Sequence, residues 1–402
     1  MSKSASFRLS RVPSGRERVS FLPSMDMGIF LPTLLLVAVG IAMVFSASYP
    51  TVLEYRDGDA WYYAKRQAGF AVAGFFALWI FSRLRLKYLR GIAYPALFVS
   101  ILLLAGVLVV GRATKGAFSW YDAGPFKFQP SEMAKVALIL ALAKLLADYP
   151  GILSTFKGLL VPLLMGGLVC GLVLMGRDLG TTAVAFFAFL VVLFLAGARF
   201  SHLLGLSIAS AGIGAFFIRM EPYRLQRIIS FINPEAYADS GGYQITRSLI
   251  ALGSGGLFGL GFSRSREKFF YLPTPHTDSI FAVIGEELGL IFCLAVLVLF
   301  FWLGWRGLRA ATLSEDRFSS LAAAGLTSLI LIQAATNLMV NVGMMPLTGL
   351  PLPFISYGGS SLLFSLIAVG IIANISRHTV EIGGVSPLRA PHLSRAANKK
   401  SR

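Results

Sequence analysis

The stretch Lys268-Phe269-Phe270-Tyr271-Leu272-Pro273-Thr274-Pro275-His276-Thr277-Asp278 closes a segment, 219–278, that is too polar and too irregular to span a membrane. This segment interrupts a chain that otherwise consists mostly of long apolar runs. Of the 402 residues, 56% are hydrophobic and only 14% are charged, which lies outside the range of soluble globular proteins. The sequence therefore predicts an all-α polytopic membrane protein in which the segment 219–278 is a long loop.

Apolar runs on both sides of this loop predict the membrane spans. A bilayer core about 30 Å thick needs about twenty apolar residues per helix, and by that measure the chain has about ten candidate spans. The candidate spans are 27–46, 67–82, 92–111, 132–147, 158–175, 180–196, 201–218, 279–304, 320–342 and 352–376. The segment 219–278 is then the large loop between the seventh and eighth transmembrane helices.

Clusters of Lys and Arg predict which side of the membrane each loop faces. An even number of spans puts both termini on one side, and the basic tails and the basic loops around 83–90 and 306–309 make that side cytoplasmic. The chain then divides into a cytoplasmic N-terminal tail (1–26), a membrane domain (27–378) and a cytoplasmic C-terminal tail (379–402). The long loop is extracytoplasmic in this topology.

The net charge and the two cysteines exclude some kinds of partner and site. The net charge of +17 would suggest nucleic acid in a soluble protein, but here much of it flanks apolar spans, where it sets orientation and meets anionic headgroups. Cys170 and Cys293 lie inside apolar runs without metal-type spacing, which is typical of small core residues. We therefore expect no nucleic acid partner, no disulfide framework and no metal site formed by these cysteines.

Several cations lie in the loops assigned to the outer face, against the usual charge bias. They include Arg112, Lys115, Lys127, Arg177, Arg247 and Lys268. Such cations could hold an anion such as a diphosphate, because phosphate oxygens accept charge-assisted hydrogen bonds from Arg and Lys. Alternatively, they could contact lipid headgroups with their long side chains.

The long loop has an internal pattern of its own. Residues 241–253 predict a short amphipathic helix, with Ile245, Leu249 and Leu252 at helical spacing and glycines at both ends. The following stretch, 253–261, is apolar but rich in glycine, which indicates backbone that packs closely. Irregular backbone at membrane depth is tolerated where protein or a water-filled cavity satisfies it, so we expect the loop to fold back over a cavity.

Five motifs, taken in order and spacing, resemble those of one family. They are Lys115-Gly116-Ala117 with Trp120, Gly124-Pro125-Phe126-Lys127-Phe128-Gln129-Pro130-Ser131-Glu132, Asp178-Leu179-Gly180-Thr181, the block from Tyr223 to Gly289, and Pro351-Leu352-Pro353-Phe354-Ile355-Ser356-Tyr357-Gly358-Gly359-Ser360-Ser361. The set resembles the SEDS family, the polytopic peptidoglycan glycosyltransferases of bacterial division, elongation and sporulation. The resemblance implies a protein of the bacterial cytoplasmic membrane that polymerises lipid II on the outer face. It also implies a class B penicillin-binding protein as partner, along with other divisome or elongasome membrane proteins.

The resemblance places the essential acid of the family at Asp278. A sugar joined to a diphosphate already carries a good leaving group, so the reaction needs a base rather than a glycosidase-type general acid. A carboxylate could take the proton of the acceptor hydroxyl while cations stabilise the leaving diphosphate, which gives inversion at the donor carbon. The candidates for the diphosphate are Lys115, Lys127, Arg247 and Lys268. Alternatively, Thr277-Asp278-Ser279 is where the N-cap of the eighth transmembrane helix belongs.

Other motif residues carry a functional and a structural interpretation side by side. Trp120 could shape the sugar site or anchor the chain at the membrane interface. Gln129, Ser131 and Glu132 belong to the Gln-Pro-Ser-Glu motif and are predicted to bind substrate, although Glu132 and Lys135 could simply pair at i, i+3 spacing. His276 and Ser356 are further candidates for substrate binding, and His276 could instead end a turn. No cofactor is certain, and a divalent cation, Mg²⁺ or Mn²⁺, could assist.

Polar residues inside two predicted spans also need a partner. At least one of Glu286 and Glu287 should face the interior of the bundle, because an acid in a membrane span is costly unless it is paired or hydrated. Gln333, Asn337 and Asn341 recur every four residues and form one polar face of the ninth transmembrane helix. This face could serve hydrogen bonding between helices or contact with substrate.

Departures from the family pattern limit the resemblance. They occur at Ser119, Gly176-Arg177, Thr274 and Ser279, which are left out of the predicted site. The stretch 224–289 is closer to the division members, and an FtsW-like protein is therefore favoured over a RodA-like one.

Two alternatives from other classes remain. A lipid II flippase requires a continuous polar path to the cytoplasmic face. A non-catalytic scaffold for a penicillin-binding protein requires that the acids and cations in the outer loops are dispensable.

Overall fold

The computed structural model describes residues 26–55, 59–114, 117–123, 126–237, 241–269 and 271–382. The helices in this part of the chain are α1 Met27–Tyr55, α2 Tyr62–Arg83, α3 Leu86–Val110, α4 Pro130–Asp148, α5 Phe156–Met175, α6 Leu179–Leu195, α7 Phe200–Met220, α8 Pro222–Ile232, α9 Gly241–Ser254, α10 Ile280–Leu313, α11 Arg317–Asn341 and α12 Gly359–Ile382. Lys115 and almost all of the two predicted tails lie outside the described residues.

The helix lengths confirm the predicted polytopic membrane fold. Within the described residues, seven helices are long and apolar enough to cross a membrane, namely α1, α3, α5, α7, α10, α11 and α12. Helix α6 is apolar but shorter, and α2 and α4 coincide with the predicted spans 67–82 and 132–147. Every predicted span thus falls on a helix, although α12 starts at Gly359 rather than at 352 because the Pro351–Gly358 stretch is not helical.

The centre of the bundle is formed by α4, α11 and α12, whose side chains are buried over most of their length. Helix α12 packs closely on α2: a Cβ at Gly370 would lie 2.7 Å from the carbonyl oxygen of Leu78, and one at Gly74 would lie 2.4 Å from Leu366. Small residues allow helix backbones to approach in this way. At the periphery, α7 buries little apart from Leu203, as expected for a helix that faces lipid.

A small antiparallel sheet occupies the segment between α3 and α4, which the sequence had indicated only as an outer loop. Its strands are β1 Arg112–Thr114, β2 Ala117–Ala123 and β3 Phe126–Phe128, in the order β1-β2-β3. The hydroxyl of Tyr121 on β2 donates to the carbonyl of Leu103 (2.9 Å), which ties the sheet to α3. The sheet leads directly into α4, whose first residue is Pro130.

The long loop contains the predicted amphipathic helix, which is α9 at Gly241–Ser254. Its buried side runs through Ile245 and Ser248, with Leu252 half-buried. Leu249, which has the same helical spacing, is 44% exposed, so the protein covers only part of the apolar face. A second helix in the loop, α8 at Pro222–Ile232, was not predicted.

The glycine-rich stretch after α9 packs into a break in α10. Gly289 has φ +77°, which interrupts the helix. At this break the amide of Gly261 donates to the carbonyl of Glu287 (2.9 Å), and the amide of Leu290 donates to the carbonyl of Gly256 (2.9 Å). A Cβ on Gly259 would lie 2.2 Å from the Glu287 carbonyl oxygen. The predicted close packing of this stretch is confirmed. The stretch packs against the backbone of α10 at the point where the helix is interrupted.

Candidate functional site

Asp278 lies at the end of the long loop, two positions before α10 begins at Ile280, and is half-buried. Its Oδ2 atom faces Gly349, where a Cβ would lie 3.8 Å away. The N-cap residue of α10 is Ser279 rather than Asp278, and its hydroxyl donates to the carbonyl of Pro273 (3.2 Å). The alternative interpretation of Asp278 as the helix N-cap therefore does not describe this arrangement.

The two peptide carbonyls that precede Asp278 are bound by the Pro351–Gly358 stretch. The amide of Tyr357 donates to the carbonyl of His276 (2.9 Å), and the hydroxyl of Ser356 donates to that of Thr277 (2.6 Å). The Ser356 hydroxyl also accepts from the amide of Leu352 (2.8 Å) and is buried. Ser356, predicted to bind substrate, thus has its hydroxyl engaged with the backbone of the loop.

The carbonyl of Asp278 itself is bound by α11. The Nδ2 atoms of Asn337 and Asn341 lie 2.9 Å and 3.0 Å from this oxygen. Asn337 also donates to the carbonyl of Leu350 (2.7 Å). The polar face of this helix could serve either hydrogen bonding within the protein or contact with substrate. The observed contacts of Asn337 and Asn341 are of the first kind.

Adjacent carboxylates on α10 hold the loop from its other side. Glu286 accepts hydrogen bonds from the amide of Arg266 (2.8 Å), the amide of Glu267 (3.4 Å) and the hydroxyl of Ser265. Glu286 is 1% exposed, and its neighbour Glu287 is 0% exposed. Both acids face the interior, which confirms the prediction that at least one would.

Lys268 is part of this buried cluster. Its Nζ lies 2.8 Å from a carboxylate oxygen of Glu287 and 3.0 Å from the hydroxyl of Ser46 on α1. The hydroxyl of Ser46 also donates to Glu287 (2.7 Å), and so does the amide of Ser263 (2.9 Å). The structure therefore places Lys268, a predicted diphosphate ligand, in an ion pair that links α1, α10 and the loop, away from any surface.

Arg247, on α9, remains partly exposed. Its guanidinium lies 3.5 Å from Glu267 and stacks over the rings of Tyr243 and Tyr271, with centroid distances of 5.1 Å and 5.0 Å. Burial raises the pKa of Glu267, and the charge of Arg247 opposes that shift. One turn earlier on α9, Gln244 donates to the Ser279 hydroxyl (3.1 Å), so α9 is connected to the residue that follows Asp278.

Gln129 connects three of the motifs. Its side-chain amide donates to Asp178 (3.2 Å), and its backbone amide donates to the hydroxyl of Ser360 (3.1 Å). Asp178 caps the N-terminus of α6 by accepting from the amide of Thr181 (2.9 Å). The Ser360 hydroxyl also lies 3.3 Å from the carbonyl of Lys127, whose side chain is exposed.

Glu132 and Lys135 pair inside the bundle at 2.9 Å, with both side chains almost fully buried. Lys135 also donates to Gln333 on α11 (2.6 Å), which in turn donates to the carbonyl of Pro351 (3.2 Å). The three polar side chains border a cavity of about 10 Å³, enough for one water molecule. Ser131, from the same motif, borders a second cavity of about 10 Å³ between α3 and α5.

His276 belongs to an aromatic cluster that the sequence did not indicate. Its ring lies 4.6 Å from that of Tyr63 on α2, and the ring of Tyr63 lies 5.0 Å from that of Tyr357. Burial raises the pKa of Tyr357, and a hydrogen bond with Arg66 opposes the shift. Gln67 donates to the carbonyl of Ser356 (3.1 Å). These residues of α2 border a predicted span, where basic and aromatic residues are easily taken for membrane anchors.

The predicted site residues therefore divide into groups. Asp278, His276 and Ser356 meet at the end of the loop, Gln129 joins α6 and α12, and Trp120 is half-buried on β2. Among the described residues, no group of three or more His, Cys, Asp or Glu side chains forms a set of metal ligands.

Comparisons with known proteins agree with one another. A family model described as "Cell cycle protein", for FtsW, RodA and SpoVE, matches residues 27–381. Stage V sporulation protein E of Bacillus subtilis is 40% identical over 89% of this chain and 98% of its own length. The probable peptidoglycan glycosyltransferase FtsW of Trichlorobacter lovleyi is 39% identical over 88% of this chain and 94% of its own length. The crystal structure of the Thermus thermophilus rod shape determining protein RodA has a TM-score of 0.65 at 31% identity, over 88% of this chain and 97% of that one.

One further solved structure extends the comparison to an assembly. It concerns the structural coordination of polymerization and crosslinking by a peptidoglycan synthase complex. The matching chain has a TM-score of 0.73 at 31% identity, over 89% of this chain and 98% of that one. The likeness therefore extends over nearly the whole membrane domain.

Proposed function

The chain belongs to the FtsW, RodA and SpoVE family of cell cycle proteins, and we propose on that premise that it is a peptidoglycan glycosyltransferase that polymerises lipid II into glycan strands. Relatives named as probable peptidoglycan glycosyltransferases match most of the chain, which supports the reaction class. The curated names FtsW and SpoVE among the relatives favour a role in division or sporulation over elongation.

The observation that carries the proposal for the site is the setting of Asp278. It is a half-buried acid at the end of a loop whose last three carbonyls are all bound. The Pro351–Gly358 stretch binds those at 276 and 277, and α11 binds the one at 278. Such anchoring supports a fixed position for a general base. Asp278 takes the proton from the acceptor hydroxyl, whose oxygen attacks the donor's anomeric carbon from the face opposite the leaving group. The bond to the diphosphate breaks, and the product is inverted.

The leaving diphosphate needs positive charge near the site. Lys127 is exposed and Arg247 is partly exposed, so these two are the described cations that we assign to it. Lys115 remains a candidate outside the described residues. Lys268 is instead assigned to the support of the loop, because its ammonium is enclosed with Glu287. Trp120, Gln129, Ser131, Glu132 and His276 stay predicted contributors to the substrate cavity.

The proposed setting is the bacterial cytoplasmic membrane, with both termini in the cytoplasm and Asp278 on the outer face. A class B penicillin-binding protein is the proposed partner. The likeness to a chain of a peptidoglycan synthase complex supports an assembly that couples polymerisation with crosslinking. Other membrane proteins of the division or elongation machinery complete the proposal.

The test is polymerisation of purified lipid II by the detergent-solubilised protein with its class B partner, comparing wild type with Asp278→Asn. A matched control is Asp59→Asn, which changes an exposed acid that pairs with Lys65. We expect glycan polymer from wild type and control, and loss of polymer from Asp278→Asn while the complex still forms. Full activity of Asp278→Asn would overturn the assignment of the base. Absence of polymer from wild type would count against the polymerase and favour the flippase or scaffold.

A further inference from the structure

The carbonyl of Asp278 lies just before the first hydrogen-bonded turn of α10. The amide of Ala282 donates to the carbonyl of Ser279 (3.1 Å), so the helix ladder begins one residue after Asp278. A buried peptide carbonyl needs a partner from elsewhere in the protein. Here the partners are the side-chain amides of Asn337 and Asn341, which approach the same oxygen from neighbouring turns of α11.

Asn337 also joins the two segments that flank the Asp278 carboxylate. A carboxamide nitrogen has two N–H donors, and Asn337 directs them to the carbonyls of Asp278 (2.9 Å) and Leu350 (2.7 Å). Leu350 follows Gly349, the residue that the Oδ2 atom of Asp278 faces. One side chain therefore links the backbone of the acid to the segment that its carboxylate faces.

Asn341, one turn further along α11, contacts both the Asp278 carbonyl and the backbone of Asn337. Its Nδ2 atom lies 3.0 Å from the Asp278 carbonyl and 2.9 Å from the backbone carbonyl of Asn337. Both asparagines are enclosed, with 1% and 2% of their surface exposed. A lipid-linked substrate cannot reach side chains that are covered to this extent, so they would influence the reaction through the residue they hold.

We propose that Asn337 and Asn341 are positioning residues for Asp278, holding its peptide carbonyl so that the carboxylate faces the acceptor hydroxyl. This inference rests on the proposed function. The hydroxyl of Ser356 holds the preceding peptide through the carbonyl of Thr277 (2.6 Å), and the two donors on the Asp278 carbonyl hold the following one. With the peptide planes on both sides of its Cα held, the direction of the Cα–Cβ bond of Asp278 is fixed and only its side-chain torsions vary. A general base that is displaced by about 1 Å can lose about a hundredfold in rate.

These contacts predict how much polymerisation activity each variant loses relative to the others. Asn341→Leu leaves the Asn337 bridge in place, so its effect is the smallest. Asn337→Leu releases both Asp278 and Leu350 and has a larger effect. The double variant leaves the carbonyl without either donor, and its loss exceeds the product of the single losses, because each single variant retains one donor.

The test measures initial rates of polymerisation against lipid II concentration in the wild-type complex and in the three variants, normalised to folded complex. The matched control is Asn374→Leu on α12. Asn374 is also 1% exposed, and it also donates to two carbonyls, of Phe81 (2.8 Å) and Leu84 (2.5 Å), away from the site. This control reports what the loss of a buried carboxamide does to the protein in general.

We expect the double variant to lower kcat by about tenfold or more with little change in KM, because placement of the base rather than binding is affected. Asn374→Leu should retain the wild-type kcat per folded complex. An unchanged kcat in the double variant, a loss confined to KM, or an equal loss in Asn374→Leu would overturn the inference. If the double variant does not fold, kcat and KM of the two single variants, Asn337→Leu and Asn341→Leu, are compared with wild type and with Asn374→Leu by the same criteria. Failure of the proposed function would appear separately, as absence of polymer from wild type.

Discussion

The ammonium of Lys268 lies 2.8 Å from a carboxylate oxygen of Glu287, and neither side chain is exposed. Breaking a buried ion pair leaves an uncompensated charge, which typically destabilises a protein by about 3–5 kcal/mol. We therefore expect Lys268→Met to lower the free energy of unfolding by that amount, measured by denaturant titration in mixed micelles. Lys268→Met combined with Glu287→Gln should recover part of the loss, because no unpaired charge remains.

The exposed pair of Lys65 and Asp59 is the matched control. It has a similar separation, 3.1 Å, but its side chains are 66% and 46% exposed, so Lys65→Met should change stability by less than about 1 kcal/mol. Wild-type stability of Lys268→Met together with lost polymerisation would contradict the structural role and return Lys268 to the diphosphate site.

Gly259 should not tolerate a side chain. Its φ of +79° is unfavourable for other residues, and a Cβ would lie 2.2 Å from the Glu287 carbonyl oxygen at the break in α10. We expect Gly259→Ala to destabilise the protein by about 1–3 kcal/mol, as overpacking commonly does. The measurement is the thermal midpoint of the solubilised protein.

Gly253 provides the comparison for that variant. It lies in α9 with open space around its Cβ position, and Ala is about 0.5–1 kcal/mol better than Gly inside a helix. Gly253→Ala should leave the midpoint unchanged or raise it slightly. Equal midpoints for the two alanine variants would mean that the loop does not pack into the helix break.

Asp178 has two roles that substitution can separate. It caps α6 through the amide of Thr181 (2.9 Å) and accepts from Gln129 (3.2 Å). Asp178→Ala should cost about 1 kcal/mol of stability through the lost cap, whereas Asp178→Ser keeps a capping oxygen. Both variants lose the contact with Gln129, so both should polymerise lipid II more slowly. If Asp178→Ser has normal activity, the position of Gln129 does not depend on this contact.

Glu267 should make stability depend on pH. Burial raises its pKa above the ordinary value of 4.5, with Arg247 opposing the shift. A carboxyl that binds its proton more tightly in the folded state favours folding at low pH, and this contribution is lost as the pH rises through the folded-state pKa. In Glu267→Gln the thermal midpoint should therefore fall less steeply as the pH rises above 4.5, with the midpoint measured at constant salt.

Removal of Arg247 tests the cause of that shift. Arg247→Met takes away the group that lowers the pKa of Glu267, so the pH range over which stability falls should extend upward. An identical pH dependence in wild type, Glu267→Gln and Arg247→Met would show that Glu267 does not titrate in this range.

Local pattern was sufficient for several features of the site. Thr277-Asp278-Ser279 is predicted to precede the eighth transmembrane helix, and the structure begins α10 at Ile280. Helix α9 was found from its spacing of apolar residues and its flanking glycines. The sequence does not predict the sheet before α4, because β1 and β3 have only three residues each and leave no recognisable period. Strand β2 has seven residues, but apolar and polar residues do not alternate regularly along it.

Lys268 illustrates where local pattern fails. In the sequence it is one of several cations in an outer loop, with nothing to distinguish it from Arg264 or Arg266. In the folded protein it pairs with Glu287, 19 positions further on and inside a helix, where a buried carboxylate needs a counter-charge. Arg264 and Arg266 remain exposed. The difference depends on how the loop folds back on α10.

The sequence by itself determined the membrane class and the positions of the long helices, because the length of an apolar run is a local property of the chain. It indicated the candidate acid, Asp278, through a resemblance in the order of its motifs. Only the tertiary structure decided which polar groups meet. Asn341 binds the Asp278 carbonyl across 63 positions, and Ser46 binds Glu287 across 241. Such contacts follow from the packing of helices and from the need of every buried polar group for a partner, and neither is encoded in the spacing of neighbouring residues.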